Sequence, residues 1–367
     1  MSEQDIAYMK LALELAEKGR GAVAPNPMVG AVIVKDGRII GSGYHEKFGE
    51  GHAEVNAFRS ATEDVAGATI YVTLEPCSHY GKTPPCADKI IEKKIARVVV
   101  AALDPNPLVS GRGVKKIRDA GIEVVTGVLA DESIRLNEVF MKYIVKKEPF
   151  VIMKVAMSLD GKIATRTGES KWITGESARE QVHRLRSALS GIMVGVQTVI
   201  ADDPQLTARI PNGKNPVRII VDSTLRIPLD ANILKNQDLA KTIIGTTAKA
   251  DREKAALLEQ AGIELVTVPE KDGTTDLSAL MKILGERGID SILLEGGATL
   301  NYAALDAGIV DKVQIYIAPK LIGGSTSKTP VGGKGIDNLN EAFKVKGLTA
   351  TLVGEDVLLE GYIAKDE

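Results

Sequence analysis

Residues able to bind a soft metal cluster in one stretch: His52, Cys77 and Cys86, the last two being the only cysteines in the 367-residue chain. One imidazole and two thiolates leave the fourth corner of a zinc tetrahedron open, the ligand count of a catalytic site rather than a structural one. Glu54 stands two residues after the histidine, where its carboxylate suits an acid/base beside the ion better than a ligand. The loop from Ser78 to Pro85 can still return both sulfurs to one ion, and it sets Ser78, His79 and Lys82 around the mouth of the site. Taken singly these residues have other readings: a disulfide, small buried cysteines, or a packed core histidine.

The elements that must position this cluster are legible around it. Apolar residues at helical spacing (Ile6, Met9, Leu13) predict a helix over Asp5–Lys18. Two strands, Val29–Val34 and Arg38–Gly43, flank Asp36-Gly37, a strong hairpin signal. His52 sits where the following loop becomes a helix through Ala61. A β-rich run, Ile70–Leu74, ends just before Pro76-Cys77, and Pro84-Pro85 open a helix Cys86–Lys93. A buried-type strand Val98–Ala102, a helix Gly111–Ala120, a short strand at Val124-Val125 and a helix Asp131–Tyr143 follow. Strands alternating with helices indicate an α/β layered fold whose metal-binding residues lie at helix starts.

Lys146-Lys147-Glu148-Pro149 is a charged break that divides the chain into 1–147 and 148–367. Beyond it, strands at Phe150–Met157, Gly191–Val194, Val217–Val221, Thr242–Gly245, Glu264–Val268, Ser291–Leu294 and Lys312–Ile317 alternate with helices, and the C-terminal end is mainly β. Both halves are therefore α/β. No G-x-G-x-x-G follows the first of these strands, so a Rossmann fingerprint is absent. Glu295-Gly296-Gly297, between a strand and a helix, is a weaker phosphate signal that a tight turn would explain equally.

Composition narrows the function classes. The chain is 44% hydrophobic, and no apolar run reaches membrane-spanning length, so no membrane partner is expected. A net charge of −2 lacks the basic footprint of a nucleic-acid enzyme, which points to a small substrate. The N-terminus lacks a secretory signal and both cysteines are committed to one cluster, so a cytoplasmic setting is expected.

The His-x-Glu start and Pro-Cys are similar to the H-x-E…P-C-x-x-C arrangement of zinc deaminases, from which the eight residues between Cys77 and Cys86 depart. The longer form, His52-Ala-Glu54 with Pro76-Cys-Ser-His-Tyr-Gly-Lys-Thr-Pro-Pro-Cys86, resembles the bacterial bifunctional riboflavin-biosynthesis deaminase/reductases. The likeness continues through Lys154-Val-Ala-Met-Ser-Leu-Asp-Gly-Lys, Gly168-Glu-Ser-Lys-Trp172, Ala201-Asp-Asp-Pro-Gln-Leu-Thr207 and Leu294-Glu-Gly-Gly-Ala-Thr-Leu300, covering roughly residues 4 to 364.

The resemblance implies a cytidine-deaminase-like α/β/α sandwich followed by a dihydrofolate-reductase-like α/β domain. It implies one Zn2+ held by His52, Cys77 and Cys86, with Glu54 catalytic, and NADPH lined by Ala156, Trp172, Thr198, Asp202, Ser223 and Gly297. Substrate contacts would be Asn26, His45, His79, Lys82 and Asn106 in the first half. In the second they would be Lys154, Ser170, Arg186, Leu206, Arg209 and Glu295. Blander readings stand beside these: turn chemistry for Asn26 and Asn106, core packing for Trp172, a solvated surface for the arginines, which a phosphate-clamping guanidinium outweighs. The implied reactions are hydrolytic deamination of 2,5-diamino-6-(5-phosphoribosylamino)pyrimidin-4(3H)-one, then reduction of the ribosyl group to ribityl. A homo-oligomer is expected. The competing readings are a zinc nucleoside or nucleic-acid deaminase with an unrelated C-terminal domain, and a non-catalytic zinc module.

Overall fold

A computed structural model describes residues 2–78, 80, 84–106 and 109–365, in two compact units, Met1–Lys147 and Glu148–Glu367. The first unit holds α1 (Glu3–Glu17), β1 (Gly30–Lys35), β2 (Arg38–Tyr44), α2 (Ala53–Arg59), β3 (Thr69–Leu74), α3 (Cys86–Glu92), β4 (Arg97–Ala102), α4 (Arg112–Asp119), β5 (Glu123–Thr126), α5 (Ala130–Leu136) and α6 (Glu138–Lys146). Its sheet runs β2-β1-β3-β4-β5, with β1 antiparallel to both neighbours and β3, β4 and β5 parallel. The hairpin turns at Asp36-Gly37, both at positive φ (49 and 73°), as a two-residue loop requires.

Strand alternation sorts the core into two layers. Ala31, Ile33, Ile70, Val72, Val98 and Val100 pack with Ala53 and Ala57 of α2, Ala87 and Ile90 of α3 and Ile117 of α4. The intervening residues, Val32, Val34, Tyr71, Val99 and Ala101, face Met9 and Ala12 of α1. The single helix expected over Asp131–Tyr143 is two, broken at Asn137. The Asn137 amide there accepts the Met28 N–H (2.8 Å) and donates to the Met28 carbonyl (2.9 Å), a tertiary pairing that takes precedence over helix continuity.

The second unit holds β6 (Phe150–Ser158), α7 (Glu176–Ala188), β7 (Gly191–Gly195), α8 (Val196–Asp202), β8 (Val217–Val221), β9 (Thr242–Thr246), α9 (Arg252–Gln260), β10 (Glu264–Thr267), β11 (Glu270–Lys271), β12 (Thr274–Thr275), α10 (Leu277–Glu286), β13 (Ser291–Leu294), α11 (Ala298–Asp306), β14 (Lys312–Ala318), β15 (Val345–Val353) and β16 (Asp356–Ile363). A nine-stranded sheet runs β10-β9-β8-β7-β13-β6-β14-β16-β15, parallel as far as β14 and antiparallel over the last two strands. Val151 and Met153 of β6 join the main core with Leu280, Leu284 and Ala304 of α10 and α11. Ala156, on the other face, packs with Tyr316 of β14 and Ala178 and Val182 of α7. Lys154 shares that second face by period-two alternation.

One buried ion pair ties α1 to β4. Asp5 is 3% exposed; its carboxylate accepts from Arg97 Nη1 (2.7 Å), Arg97 Nη2 (3.1 Å) and Tyr71 Oη (3.1 Å), and it closes the capping box with Ser2. Arg97 holds the Asp5 carboxyl well below the ordinary aspartate range, against the effect of burial. A depressed pKa contributes stability above the unfolded value of about 4 that is lost as pH falls below it. Asp5→Asn should therefore destabilise the first unit by about 1–3 kcal/mol at neutral pH and flatten the acid limb of its stability curve. Urea unfolding at pH 7 and at about pH 2.5 checks this; an unchanged midpoint at pH 7 rejects it.

Candidate active sites

In the first unit, β3 ends at Leu74, and Cys77 lies just beyond Pro76, the edge of the sheet's parallel half. His52 is the N-cap of α2 in extended conformation, and Cys86 is the first residue of α3, after Pro85. Both cysteine sulfurs converge on His52 Nδ1, at 3.6 Å from Cys77 and 3.4 Å from Cys86, with all three donor atoms within 4.8 Å of one another. Zinc–sulfur and zinc–nitrogen bonds at tetrahedral angles place such donors about 3.6 Å apart, so the residues fit the ion. Both cysteines are free thiols, which removes the disulfide reading. The Cys86 N–H also donates to Cys77 Sγ (3.2 Å), fixing that sulfur against the start of α3. Hydrogen bonding from Cys86 holds the Cys77 thiol down at about 4, and the same contact with burial holds Cys86 up.

Glu54, in the first turn of α2, is 3% exposed. Burial, with the negative charge of Cys77 beside it, pushes its carboxyl up to about 7. A carboxyl near neutrality can both take and return a proton. His45 is buried with its ring 5.7 Å from that of His52, edge to face. Its Nδ1–H donates to the Gly51 carbonyl (3.2 Å) and its Nε2 accepts from Asn26 Nδ2 (3.2 Å), a pattern that assigns the neutral tautomer. Burial lowers its pKa in the same direction. Asn26, His45, His52, Cys77, Cys86 and Glu54 thus form one connected group. Asn106 lies in the loop after β4, its carbonyl accepting the N–H of Val109 (2.8 Å) and Ser110 (2.9 Å). His79 and Lys82 fall outside the described residues.

In the second unit, Lys154, Ser170, Trp172, Arg186, Arg209 and Glu295 line one cavity of about 230 Å³, together with Ala156. Glu295 is its electrostatic centre. The carboxylate accepts from Arg186 Nε (2.7 Å) and Nη2 (2.9 Å) and from Lys154 Nζ (3.0 Å), all three side chains being nearly buried. Burial would raise the Glu295 pKa; Lys154 and Arg186 overcome it and hold the carboxyl down at about 2. Arg186 is thereby committed to a carboxylate of the chain itself, and its Nη1 to the Thr207 carbonyl (3.3 Å), rather than standing on a solvated surface.

Trp172 is 59% exposed, so core packing does not account for it. Arg179 stacks on its ring (4.8 Å), and Lys320 Nζ donates to the carbonyls of Trp172 (2.9 Å) and Ile173 (2.7 Å). Asp160 serves as a clamp: it accepts the N–H of Ile322 (3.0 Å) and Gly323 (2.7 Å) and the Ser158 hydroxyl (2.6 Å). Gly297 caps α11, and a Cβ there would stand 3.8 Å from Thr198 Oγ1, so these two sequence-predicted residues are neighbours. Ser223 Oγ accepts the Thr275 N–H (3.0 Å) at the end of β8, and Asp202 is exposed at the end of α8. Leu206 is buried and takes a left-handed backbone (φ 53°), so its side chain serves packing.

Three further residues escaped sequence reasoning. Glu75 and Asn137 hold backbone segments far away in the chain and carry no periodic signal. His183 lines the second cavity, and its Nδ1 accepts the Arg209 N–H (3.3 Å). Its spacing of three from Arg186 on α7 was the available clue.

Comparison with known proteins extends over both units. The family model described as the cytidine and deoxycytidylate deaminase zinc-binding region matches residues 2–102, and the RibD C-terminal domain matches residues 149–359. The riboflavin biosynthesis protein RibD of Actinobacillus pleuropneumoniae is 51% identical over 356 residues, covering 97% of this chain and 94% of the relative. The solved structure of Acinetobacter baumannii RibD superposes with a TM-score of 0.86 at 39% identity, covering 99% of both chains. A structure from Thermotoga maritima, a diaminohydroxyphosphoribosylaminopyrimidine deaminase/5-amino-6-(5-phosphoribosylamino)uracil reductase, gives a TM-score of 0.82 at 40% identity, covering 98% of this chain and 99% of that one. The expected fold class, a cytidine-deaminase-like unit with a dihydrofolate-reductase-like one, is the fold found. A match over residues 149–359 disposes of an unrelated C-terminal half.

Proposed function

The chain belongs to the RibD family of bifunctional riboflavin-biosynthesis enzymes, and on that premise we propose how its residues divide the two reactions. It is a zinc-dependent deaminase of the diaminopyrimidine phosphoriboside and an NADPH-dependent reductase of the deaminated product. Deamination belongs to residues 1–147 and reduction to 148–367.

The observation that carries the first assignment is the trio of donors at tetrahedral spacing with a buried carboxyl beside it. His52, Cys77 and Cys86 would hold zinc, which when bound lowers the pKa of water to about 7. Glu54 takes the proton released as water attacks the carbon bearing the amino group. The same carboxyl gives that proton to the ring nitrogen, then takes the second proton from the new hydroxyl and passes it to the amino group, which leaves as ammonia while the C=O bond forms. Asn26 and His45, bonded to each other beside His52, orient the pyrimidine, joined by His79, Lys82 and Asn106.

For the reductase, the residues around the second cavity suit a dinucleotide. Trp172 offers an exposed aromatic face beside the small Ala156, and the open Gly297 leaves the α11 N-terminus accessible to a phosphate, with Thr198 alongside. Asp202 and Ser223 complete the cofactor-binding set. NADPH supplies the hydride when bound. Lys154, oriented by Glu295, donates the proton that the ribose ring oxygen needs as the ring opens. Ser170, the Leu206 backbone and Arg209 hold the phosphoribosyl end. Because Arg186 is engaged by Glu295, Arg209 is the arginine left to read the phosphate, and Arg186 positions Glu295.

The chain acts as a homo-oligomer in the cytoplasm. The support for assembly is β15, an edge strand with Leu348 59% and Leu352 75% exposed, the kind of apolar edge that lone proteins avoid. The support for the compartment is the pair of reduced cysteines required as ligands. Sedimentation velocity should give an oligomer that Leu352→Lys dissociates; a wild-type monomer refutes the assembly.

Two activity predictions follow from these roles. Glu54→Gln should keep zinc and lower deamination by about 10²–10⁴-fold, since an amide cannot shuttle a proton. Cys77→Ser should instead lose the metal, a hydroxyl being a poor substitute for thiolate. Metal content and ammonia release decide; near-normal deamination by a zinc-loaded Glu54→Gln protein refutes the assignment. Arg209→Ala should raise the KM for the deaminated phosphate about tenfold, removing a contact of roughly 1.5–3 kcal/mol, with deamination untouched. An equal loss on the dephosphorylated analogue, or a change only in the KM for NADPH, would show that Arg209 does not read that phosphate.

A further inference from the structure

We propose that Glu75 is a positioning residue for deamination, its carboxylate locking the segment that carries Cys77 to the loop that carries Asn106. Glu75 follows β3 directly and is separated from Cys77 only by Pro76. It is 4% exposed, and among the described residues no lysine or arginine forms an ion pair with it. Its charge is met instead by four backbone N–H groups. Oε1 accepts from Gly113 (2.9 Å) and Val114 (3.1 Å), and Oε2 from Gly111 (2.9 Å) and Asp104 (3.3 Å).

A buried carboxylate is tolerated only when fully hydrogen-bonded, so these donors must be supplied together. They come from two segments: the turn after β4 and the start of α4. Oε1 holds the start of α4, and Oε2 joins the N-cap of α4 to the turn after β4, so the carboxylate fixes the two segments relative to one another and to the Cys77 strand end. The approach is close. A Cβ on Gly113 would lie 2.0 Å from the Pro76 carbonyl oxygen, so α4 seats directly on the residue before the ligand. The link reaches Asn106 in one more bond, since Asp104 Oδ1 accepts the Asn106 N–H (2.8 Å). A rigid path thus runs from a metal ligand, through Glu75, to a substrate-contacting loop.

This inference rests on the reading of Asn106 as a substrate contact. Glu75→Gln turns an amide nitrogen toward N–H donors and pushes Asp104 and the start of α4 away. In the full-length zinc enzyme it should raise the deamination KM about tenfold, the equivalent of one hydrogen bond. kcat, zinc content and reduction of the deaminated substrate should stay near wild type. Asn106→Ala should also raise KM, and in the double variant the two effects should not multiply, because one acts through the other. Multiplying effects, or loss of zinc in Glu75→Gln, would overturn the proposal, the latter making Glu75 a brace for the metal loop alone. An Asn106→Ala protein with unchanged KM would instead overturn the reading of Asn106, and this proposal with it. Should Glu75→Gln fail to fold, Asp104→Ala takes its place. It keeps the backbone donors of Glu75, removes the acceptor for Asn106, and should give the same KM rise; an unchanged KM there overturns the proposal.

Discussion

A zinc ion accepts nitrogen and sulfur donors only at a spacing of about 3.6 Å, and the first unit is arranged around meeting that spacing. The donors come from three places in the chain: the residue before α2, the segment after β3, and the first residue of α3. Two helices must therefore begin against one strand end. Small residues make this possible. Ala53, Ala57 and Ala87 are fully buried, so α2 and α3 lie close on the sheet. On β2 the requirement is sharper still: a Cβ at Gly43 would come within 2.4 Å of the Ala57 backbone nitrogen. A larger residue there would lift α2 and carry His52 away from both sulfurs, whatever became of the ligands themselves.

The second unit solves a different problem, keeping charge inside a pocket. Glu295 alone would be costly to bury; with Lys154 and Arg186 it becomes the anion of a trio whose net charge is positive. The three come from β6, α7 and the end of β13, so the pairing also fixes α7 across the sheet. With Arg209 beside it, the cavity favours an anionic ligand while the fold itself satisfies the buried groups. Lys154 depends on this arrangement for its orientation, and Arg186 supplies the second cation that holds Glu295 ionised.

Much of this was legible in the sequence, for physical reasons that differ by feature. Strand runs such as Val98–Ala102, and the Asp36-Gly37 hairpin, are local patterns of burial and backbone preference, and they appear as read. The metal cluster was legible because cysteine and histidine are rare here and their spacing is distinctive. The helix α8 went unread, being only about two turns long between a strand and an Asp-Asp-Pro break. The break at Asn137 was invisible because its cause lies 109 residues away, in the backbone of Met28. The pairing of Arg186 with Glu295 was not legible, because the two lie 109 residues apart and no pattern along the chain joins them.

The residues that escaped share one property. Glu75, Asn137 and His183 spend their side chains on distant backbone, Asp104 to Val114, Met28 and Arg209 respectively. Such contacts do not create chemistry; they hold loops that would otherwise sample many conformations, each ordered residue costing about 1–2 kcal/mol in backbone entropy. A metal ligand is recognisable by type because few side chains can do its work. A side chain that holds a loop is one of many polar residues able to accept or donate a bond, and only the fold shows which one does. Ligand chemistry is therefore readable along the chain, whereas the rigidity that makes the chemistry efficient becomes readable only once the chain is folded.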